Sequence, residues 1–80
     1  MMNIEGLIEK IEQEFDELSR GELTPVSNYK NVIHWSSINV VVLATMIEFE
    51  YEVIVNAEEF AKTNTVSDLY QLIVQKQANQ

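Results

Sequence analysis

The stretch "WSSINVVVLATMIEFEYEVIV", residues 35–55, decides the fold of this chain. Its residue types suit strands, because β-branched and aromatic residues are frequent and "EFEYEVIV" alternates acidic with apolar residues. Against this, Leu43, Ile47 and Tyr51 lie four residues apart, and no turn signal interrupts residues 38–53, a length that favours a helix. The periodicity of the stretch therefore gives the helix a small advantage over the strand.

The N-terminal region has the clearest helical pattern in the chain. Apolar residues recur in steps of three and four, and the positions between them are mostly charged. We predict a helix over residues 4–18, capped by Asn3 and stopped by Gly21. Its buried stripe consists of Ile4, Leu7, Ile8, Ile11, Phe15 and Leu18.

Residues 19–35 have no sustained period and contain several turn formers. We predict a long connection there, which at about fifteen residues exceeds the usual loop length. The apolar side chains expected to hold it to the core are Leu23, Val26, Tyr29, Val32 and Ile33.

Two capping-box patterns follow the central stretch, Asn56 with Glu59 and Thr65 with Asp68. Each predicts the start of a helix, and the polar tail after the second helix is expected to fray. The predicted fold class is all-α, a small four-helix bundle with three longer helices, one short helix and a long loop between the first and second. It forms a single domain over residues 1–80, and the predicted helices are about 4–18, 37–52, 57–61 and 66–76.

Composition limits the classes of function. Thirteen acidic residues against five basic ones give a net charge of −8, which argues against nucleic-acid binding and favours basic partners. The chain has no cysteine and one histidine, so neither a disulfide nor a metal site is expected. No signal peptide is visible, and the longest apolar run, Val40 to Ala44, is too short to span a bilayer, so we expect a cytoplasmic protein without membrane insertion.

No catalytic constellation emerges from the residues. His34 lies two and three residues from two serines on a predicted loop, and a small enzyme that uses His34 would need a Ser/His/Asp geometry that a sequence does not show. We therefore expect no catalytic residues.

Ser36 and Ser37 have two possible roles, as a helix cap and as an attachment point for a covalent group. If a helix begins here, Ser36 is placed to cap it and Ser37 opens its first turn. Free N–H groups and the positive end of the helix dipole would favour a phosphodiester on a hydroxyl at that position. A simple capping role remains open at this point. Trp35 could either shield such a group or pack as a hydrophobic staple, and we favour packing.

Residues 35–73 resemble the second half of an acyl or peptidyl carrier protein, a phosphopantetheine-binding family. Free-standing members often open their second helix with Trp-Asp-Ser-Leu, and this chain has "WSSI" at 35–38. The alignment needs no gap and also supports the helix over residues 37–52. The other matches are Leu43, Ile47 and Tyr51 in the core of that helix, Val55 at the next loop and Thr65-Val66 at the last helix.

The resemblance implies that a phosphopantetheinyl transferase attaches 4′-phosphopantetheine from coenzyme A to Ser37. The chain would then be a non-catalytic, monomeric carrier of acyl or aminoacyl thioesters for acyl-loading and acyl-consuming enzymes, in a specialised lipid, polyketide or related pathway. Ser36 replaces the Asp that helps transferase recognition in the family. The alternative is therefore a carrier-fold protein that is never modified and acts as a protein-binding adaptor.

A second departure from the family concerns charge along the second helix. Carriers usually bear several acids there, whereas this helix has none before Glu48. We predict an unusually apolar partner-binding face, although periodicity cannot decide which of three consecutive valines are in the core. The face comprises Ile38, Val41, Val42, Thr45 and Glu48.

Overall fold

The computed structural model describes residues 2–79 as five helices, and the all-α fold class is confirmed. Within these residues the single β pairing is an isolated bridge between Asn28 and Thr65. None of the described helices is long and apolar enough to cross a membrane. The helices are α1 Ile4–Glu14, α2 Tyr29–Val32, α3 Ser37–Tyr51, α4 Ala57–Lys62 and α5 Val66–Ala78.

The core forms where α1 packs against both α3 and α5. Each fully buried Leu or Ile side chain contributes about 1.5–3 kcal/mol relative to an exposed one. The predicted stripe of α1 is buried apart from Ile4, which packs partly buried against the core. The enclosed residues of the three helices include Leu7, Ile11, Leu43, Ile47, Leu69 and Ile73.

The helical conformation of α3 follows from how its side chains are distributed. Leu43 and Ile47 are fully buried, whereas Thr45 and Phe49 are exposed. A strand would place all four on one face, because its side chains alternate with a period of two. A helix separates them, so packing of one face against the core outweighs the strand propensity of the valines.

The first helix ends at Glu14, so the predicted end at residue 18 is wrong. Phe15 has an extended backbone (φ −115°, ψ 104°) and starts a turn that still buries both Phe15 and Leu18. The Leu23 N–H donates to Glu12 Oε2 at 3.0 Å, which holds the following chain beside α1. The apolar spacing therefore continues beyond the helix, because the turn also supplies core residues.

The connection contains the short helix α2, which has no counterpart in the periodicity of the sequence. Tyr29 is fully buried, and its hydroxyl forms a 2.6 Å hydrogen bond with Thr63 Oγ1. Leu23 and Ile33 are buried and Val32 is packed against the core, as predicted. The prediction for Val26 is wrong, since its side chain is 81% exposed.

The C-terminal ends of the helices also differ slightly from the predicted ones. α3 ends at Tyr51, because Glu52 adopts a left-handed backbone with φ 58°. α4 extends to Lys62, and α5 continues to Ala78, beyond the predicted end at residue 76. The Gln77 side chain donates from Nε2 to the Tyr51 carbonyl at 3.1 Å. This bond ties the end of α5 to the end of α3, where fraying was expected.

Both predicted capping boxes are confirmed, at Asn56 with Glu59 and at Thr65 with Asp68. The hydrogen bond from Lys76, whose Nζ lies 2.7 Å from Glu59 Oε2, holds the pKa of Glu59 below its ordinary 4.5. Backbone N–H groups of Thr65 and Asn64 hold the pKa of Asp68 below its ordinary 3.8. Each helix therefore has a carboxylate with a lowered pKa in its first turn.

The lowered carboxyl pKa values predict a loss of stability in acid. A group whose folded pKa is depressed stabilises the fold above its unfolded pKa, and this contribution is lost as the pH falls through the folded value. The melting temperature should therefore fall as the pH drops below 4.5 and then 3.8. Asp68→Asn should unfold more easily at neutral pH and lose part of this pH dependence, whereas the same change at Asp16, which is exposed, should leave the stability at neutral pH unchanged.

The buried hydrogen bond between Tyr29 and Thr63 predicts a measurable cost for Tyr29→Phe. The free energy of unfolding in urea should fall by about 1–2 kcal/mol, because a buried bond is lost and the Thr63 hydroxyl loses one partner. Tyr70→Phe is the control, since the Tyr70 hydroxyl is only part-buried and lies 3.4 Å from the Met2 carbonyl. Equal costs for the two variants would contradict this role of Tyr29.

Candidate functional site

Ser36 caps α3, as the sequence predicts. Its Oγ accepts a 3.2 Å hydrogen bond from the Asn39 N–H, and its backbone is extended (φ −127°, ψ 165°). Asn39 also donates from Nδ2 to the His34 carbonyl at 2.7 Å. Two hydrogen bonds therefore fix the direction in which the chain enters the helix.

Ser37 is the first residue of α3, and its side chain is exposed. Within residues 2–79 its hydroxyl makes no hydrogen bond, and the N–H groups of Ser37 and Ile38 have no acceptor, as is usual in a first helical turn. The adjacent serines thus have separate roles: Ser36 holds the backbone, and Ser37 presents a free hydroxyl to solvent.

Trp35 packs against aromatic rings of α2 and α4, so the preference for packing is confirmed, whereas the staple contact with α3 stays a prediction. Its ring centroid lies 5.4 Å from that of Tyr29 in α2 and 5.7 Å from that of Phe60 in α4, both edge-to-face. Such pairs contribute about 0.5–1.5 kcal/mol beyond their buried area. The residues leading into the serines are therefore anchored to the body of the protein.

One cation near this entrance was missed in the sequence analysis. Lys30 Nζ lies 5.9 Å from the Tyr29 ring centroid and 6.0 Å from that of Trp35, within the range of cation–π attraction. Lys30 belongs to α2, and its spacing from Trp35 in the sequence gives no sign of this approach. The structure thus places a positive charge beside the tryptophan that precedes the two serines.

Most of the predicted partner-binding face is open to solvent. Ile38 and Val41 are 74% and 63% exposed, and Thr45 and Glu48 are exposed as well. Val42 is half-buried, because it packs partly against the core. The structure thus resolves the ambiguity of the three valines: Val41 faces outward, and Val40 and Val42 are shared with the core.

The exposed face also includes Phe49, which is not among the predicted partner-binding residues. Its side chain is 82% exposed, the largest value among the exposed large apolar residues. It lies four residues after Thr45, so helical spacing alone could have identified it. Beside it is a surface groove of about 390 Å³, here called the Phe49 groove, lined by Glu14, Val41, Val42, Thr45, Met46, Phe49 and Glu50.

The structure does not connect His34 to the serines. Within residues 2–79 the His34 side chain is exposed and has no hydrogen bond to either hydroxyl. The same residues contain no group of three or more His, Cys, Asp or Glu side chains that could hold a metal ion. The hydroxyl of Ser37 is thus exposed at the start of α3, and within the described part of the chain His34 makes no hydrogen bond to it.

Comparison with known protein families, with curated proteins and with solved structures finds no match to this chain.

The separate roles of the serines predict different effects of their removal. Ser36→Ala should lower the free energy of unfolding by about 1 kcal/mol, because the Asn39 N–H loses its acceptor, whereas Ser36→Asp should retain the cap. Ser37→Ala should change it by less than about 0.5 kcal/mol. Urea unfolding of the three variants measures these values, and a larger loss for Ser37→Ala would show that its hydroxyl has a structural role.

Proposed function

We propose that this protein is a carrier that holds acyl or aminoacyl intermediates as thioesters on a 4′-phosphopantetheine arm attached to Ser37. The observation that supports this most directly is that the two adjacent serines have different structural environments. Ser36 caps the helix, so the exposed hydroxyl of Ser37 is available for attachment without loss of the cap. The overall sequence resemblance to carrier proteins provides the second support.

The surroundings of Ser37 suit a phosphodiester. The N–H groups of Ser37 and Ile38 lack acceptors within the described chain and lie at the positive end of the α3 dipole. Lys30 adds a positive charge on α2, close to Trp35. No acidic residue occurs between Trp35 and Ile47, so no carboxylate within this stretch of the sequence repels an attached phosphate.

The attachment reaction is a phosphoryl-group transfer catalysed by a separate transferase. The Ser37 hydroxyl attacks the phosphorus of coenzyme A that bears the pantetheine arm, and the new bond joins this phosphorus to Ser37 Oγ. The phosphoanhydride bond of coenzyme A breaks, 3′,5′-ADP leaves, and the hydroxyl proton passes to a base of the transferase. Once attached, the arm supplies a terminal thiol that forms thioesters.

In this proposal the chain has no catalytic role of its own. It presents its cargo to acyl-loading and acyl-consuming enzymes, which contact the face formed by Ile38, Val41, Val42, Thr45 and Glu48. The apolar character of that face supports a specialised lipid, polyketide or related biosynthetic pathway, with the carrier acting as a monomer in the cytoplasm.

A second function has one observation in its favour. The residue before Ser37 is Ser36, whereas carriers have an Asp whose carboxylate helps recognition by the transferase. A chain of this fold that escapes modification would act as an adaptor and would bind partners through the same exposed face of α3.

Intact mass spectrometry distinguishes the two functions. After incubation with coenzyme A and a broad-specificity phosphopantetheinyl transferase, the protein should gain the mass of one phosphopantetheine group. Ser37→Ala should gain none, and Ser36→Ala should still be modified, since it keeps the acceptor hydroxyl. Ser36→Asp should be modified faster than the unaltered protein, because it restores the carboxylate found in the family.

The carrier proposal would be overturned by the absence of any mass gain with several transferases, both for the unaltered protein and for Ser36→Asp. A mass gain that persists in Ser37→Ala and disappears in Ser36→Ala would instead show that the arm is attached to Ser36, and would overturn the assignment of Ser37 as the attachment residue.

A further inference from the structure

The start of α3 differs from the starts of α4 and α5 in the contact that its third residue makes. In the capping boxes of α4 and α5, the carboxylates of Glu59 and Asp68 accept the N–H of the capping residue, at 3.0 Å and 3.2 Å. Asn39 occupies the same position in α3, but its side chain donates from Nδ2 to the His34 carbonyl at 2.7 Å. It therefore reaches beyond the cap and holds the chain that enters the helix.

This hydrogen bond completes the restraint of residues 34–37, here called the α3 entrance. The bond from Asn39 holds the peptide unit that joins His34 to Trp35. The Trp35 ring centroid lies 5.4 Å and 5.7 Å from those of aromatic rings on α2 and α4. Ser36 is held by its 3.2 Å bond with the Asn39 N–H. Three consecutive residues are thus restrained before Ser37, whose exposed hydroxyl then moves mainly by rotation about its own side-chain bond.

The fold does not require the side-chain amide of Asn39. The cap uses the backbone N–H of this residue, which every residue except proline provides. The bond from the side chain to His34 lies at the exposed surface, and Asn39 is not part of the apolar core. Ala and Leu are both better helix formers than Asn. Stability alone therefore does not account for an amide at this position.

Attachment of the arm depends on how the Ser37 hydroxyl is presented. Its Oγ must approach the phosphorus roughly in line with the bond that breaks. A misplacement of about 1 Å can slow such a step roughly hundredfold. An entrance that is already ordered avoids the entropic cost of fixing its backbone during the reaction. Rigid presentation of the hydroxyl is thus a contribution that the carrier itself can make.

We propose that Asn39 is a positioning residue for attachment at Ser37. Through the His34 carbonyl it holds the α3 entrance, so that the Ser37 hydroxyl meets the phosphorus of coenzyme A in a fixed direction. Asn39 acts through the backbone and is not itself a reacting group. This role rests on the proposed function, because the transfer of phosphopantetheine is the step that it serves.

Steady-state kinetics of phosphopantetheine transfer test this role, with coenzyme A saturating and the concentration of the protein varied. Asn39→Ala should lower kcat by roughly tenfold, less than the loss for a full misplacement of about 1 Å, and should leave KM nearly unchanged. Asn39→Leu, which also lacks the amide donor but keeps a bulkier side chain, should behave in the same way. Both variants should retain the melting temperature of the unaltered protein, because the cap by Ser36 remains.

Asn31→Ala is the matched control for these kinetics. Asn31 is exposed on α2, and within residues 2–79 its side chain forms no hydrogen bond. Its replacement removes the same amide from the surface without releasing the α3 entrance. Both kcat and KM should therefore equal those of the unaltered protein.

A second measurement does not depend on transfer. The ¹⁵N heteronuclear NOE of the unmodified protein reports picosecond-to-nanosecond motion of each backbone amide. Asn39→Ala should lower the NOE at Trp35, Ser36 and Ser37, because the entrance loses one of its restraints. Asn31→Ala should leave these values unchanged.

Four outcomes would overturn the positioning role. Unchanged kcat in Asn39→Ala would show that attachment does not use the bond to His34. A lower kcat with an unchanged NOE would assign Asn39 to direct contact with the transferase instead. An equal loss of kcat in Asn31→Ala would remove the specificity for Asn39. Absence of transfer to both the unaltered protein and Ser36→Asp would overturn the carrier function, and this role with it, a result distinct from transfer that proceeds normally in Asn39→Ala.

Discussion

The packing of α1 between α3 and α5 is the constraint on which the rest of the structure depends. A chain of 80 residues without cysteine has no disulfide to support a small core, so apolar burial must supply its stability. Leu7 and Ile11 of α1 are completely enclosed. Leu43 and Ile47 of α3 pack against this stripe, so the rotation of α3 about its own axis is fixed. That rotation also determines which residues of α3 face solvent and where its first residue lies. The position of Ser37 follows from that orientation.

Side-chain hydrogen bonds reinforce this packing by joining other parts of the chain. The Tyr29 hydroxyl joins the connection to Thr63, and Gln77 joins the end of α5 to the end of α3. Within residues 2–79 no buried side-chain nitrogen or oxygen lacks a hydrogen-bond partner. Trp35 closes the remaining side by packing between α2 and α4. The serines therefore lie at the end of a segment with little freedom to move independently of the core.

Helix starts and the apolar stripe of α1 were predictable from the sequence, because both depend on residues that are close together in the chain. The capping boxes at Asn56 and Thr65 located two helix starts, because a side chain that satisfies an N–H three residues later leaves a local signature. Ser36 was identified as the cap of α3 on the condition that a helix begins there, and the structure confirms that it does. The apolar stripe of α1 was also evident, since its period coincides with the helical repeat. The role proposed for Ser37 has no such signature and rests on the resemblance to carriers.

Features that depend on distant contacts were not predictable in this way. The end of α1 at Glu14 depends on a turn that still buries Phe15 and Leu18, so periodicity continues where the helix does not. The short helix α2 is joined to the core through the buried Tyr29, whose hydroxyl is hydrogen-bonded to Thr63, 34 residues away in the sequence. Three consecutive valines have no period, so only the packing of α3 decides that Val41 faces solvent.

The position of Trp35 gives the protein an intrinsic optical probe of its own candidate site. It is the single tryptophan of the chain, so the indole fluorescence of the whole molecule originates two residues before Ser37. The indole is half-buried between the Tyr29 and Phe60 rings, and its emission wavelength therefore depends on how much water reaches this point. Events at the start of α3 can consequently be followed in real time without any attached dye.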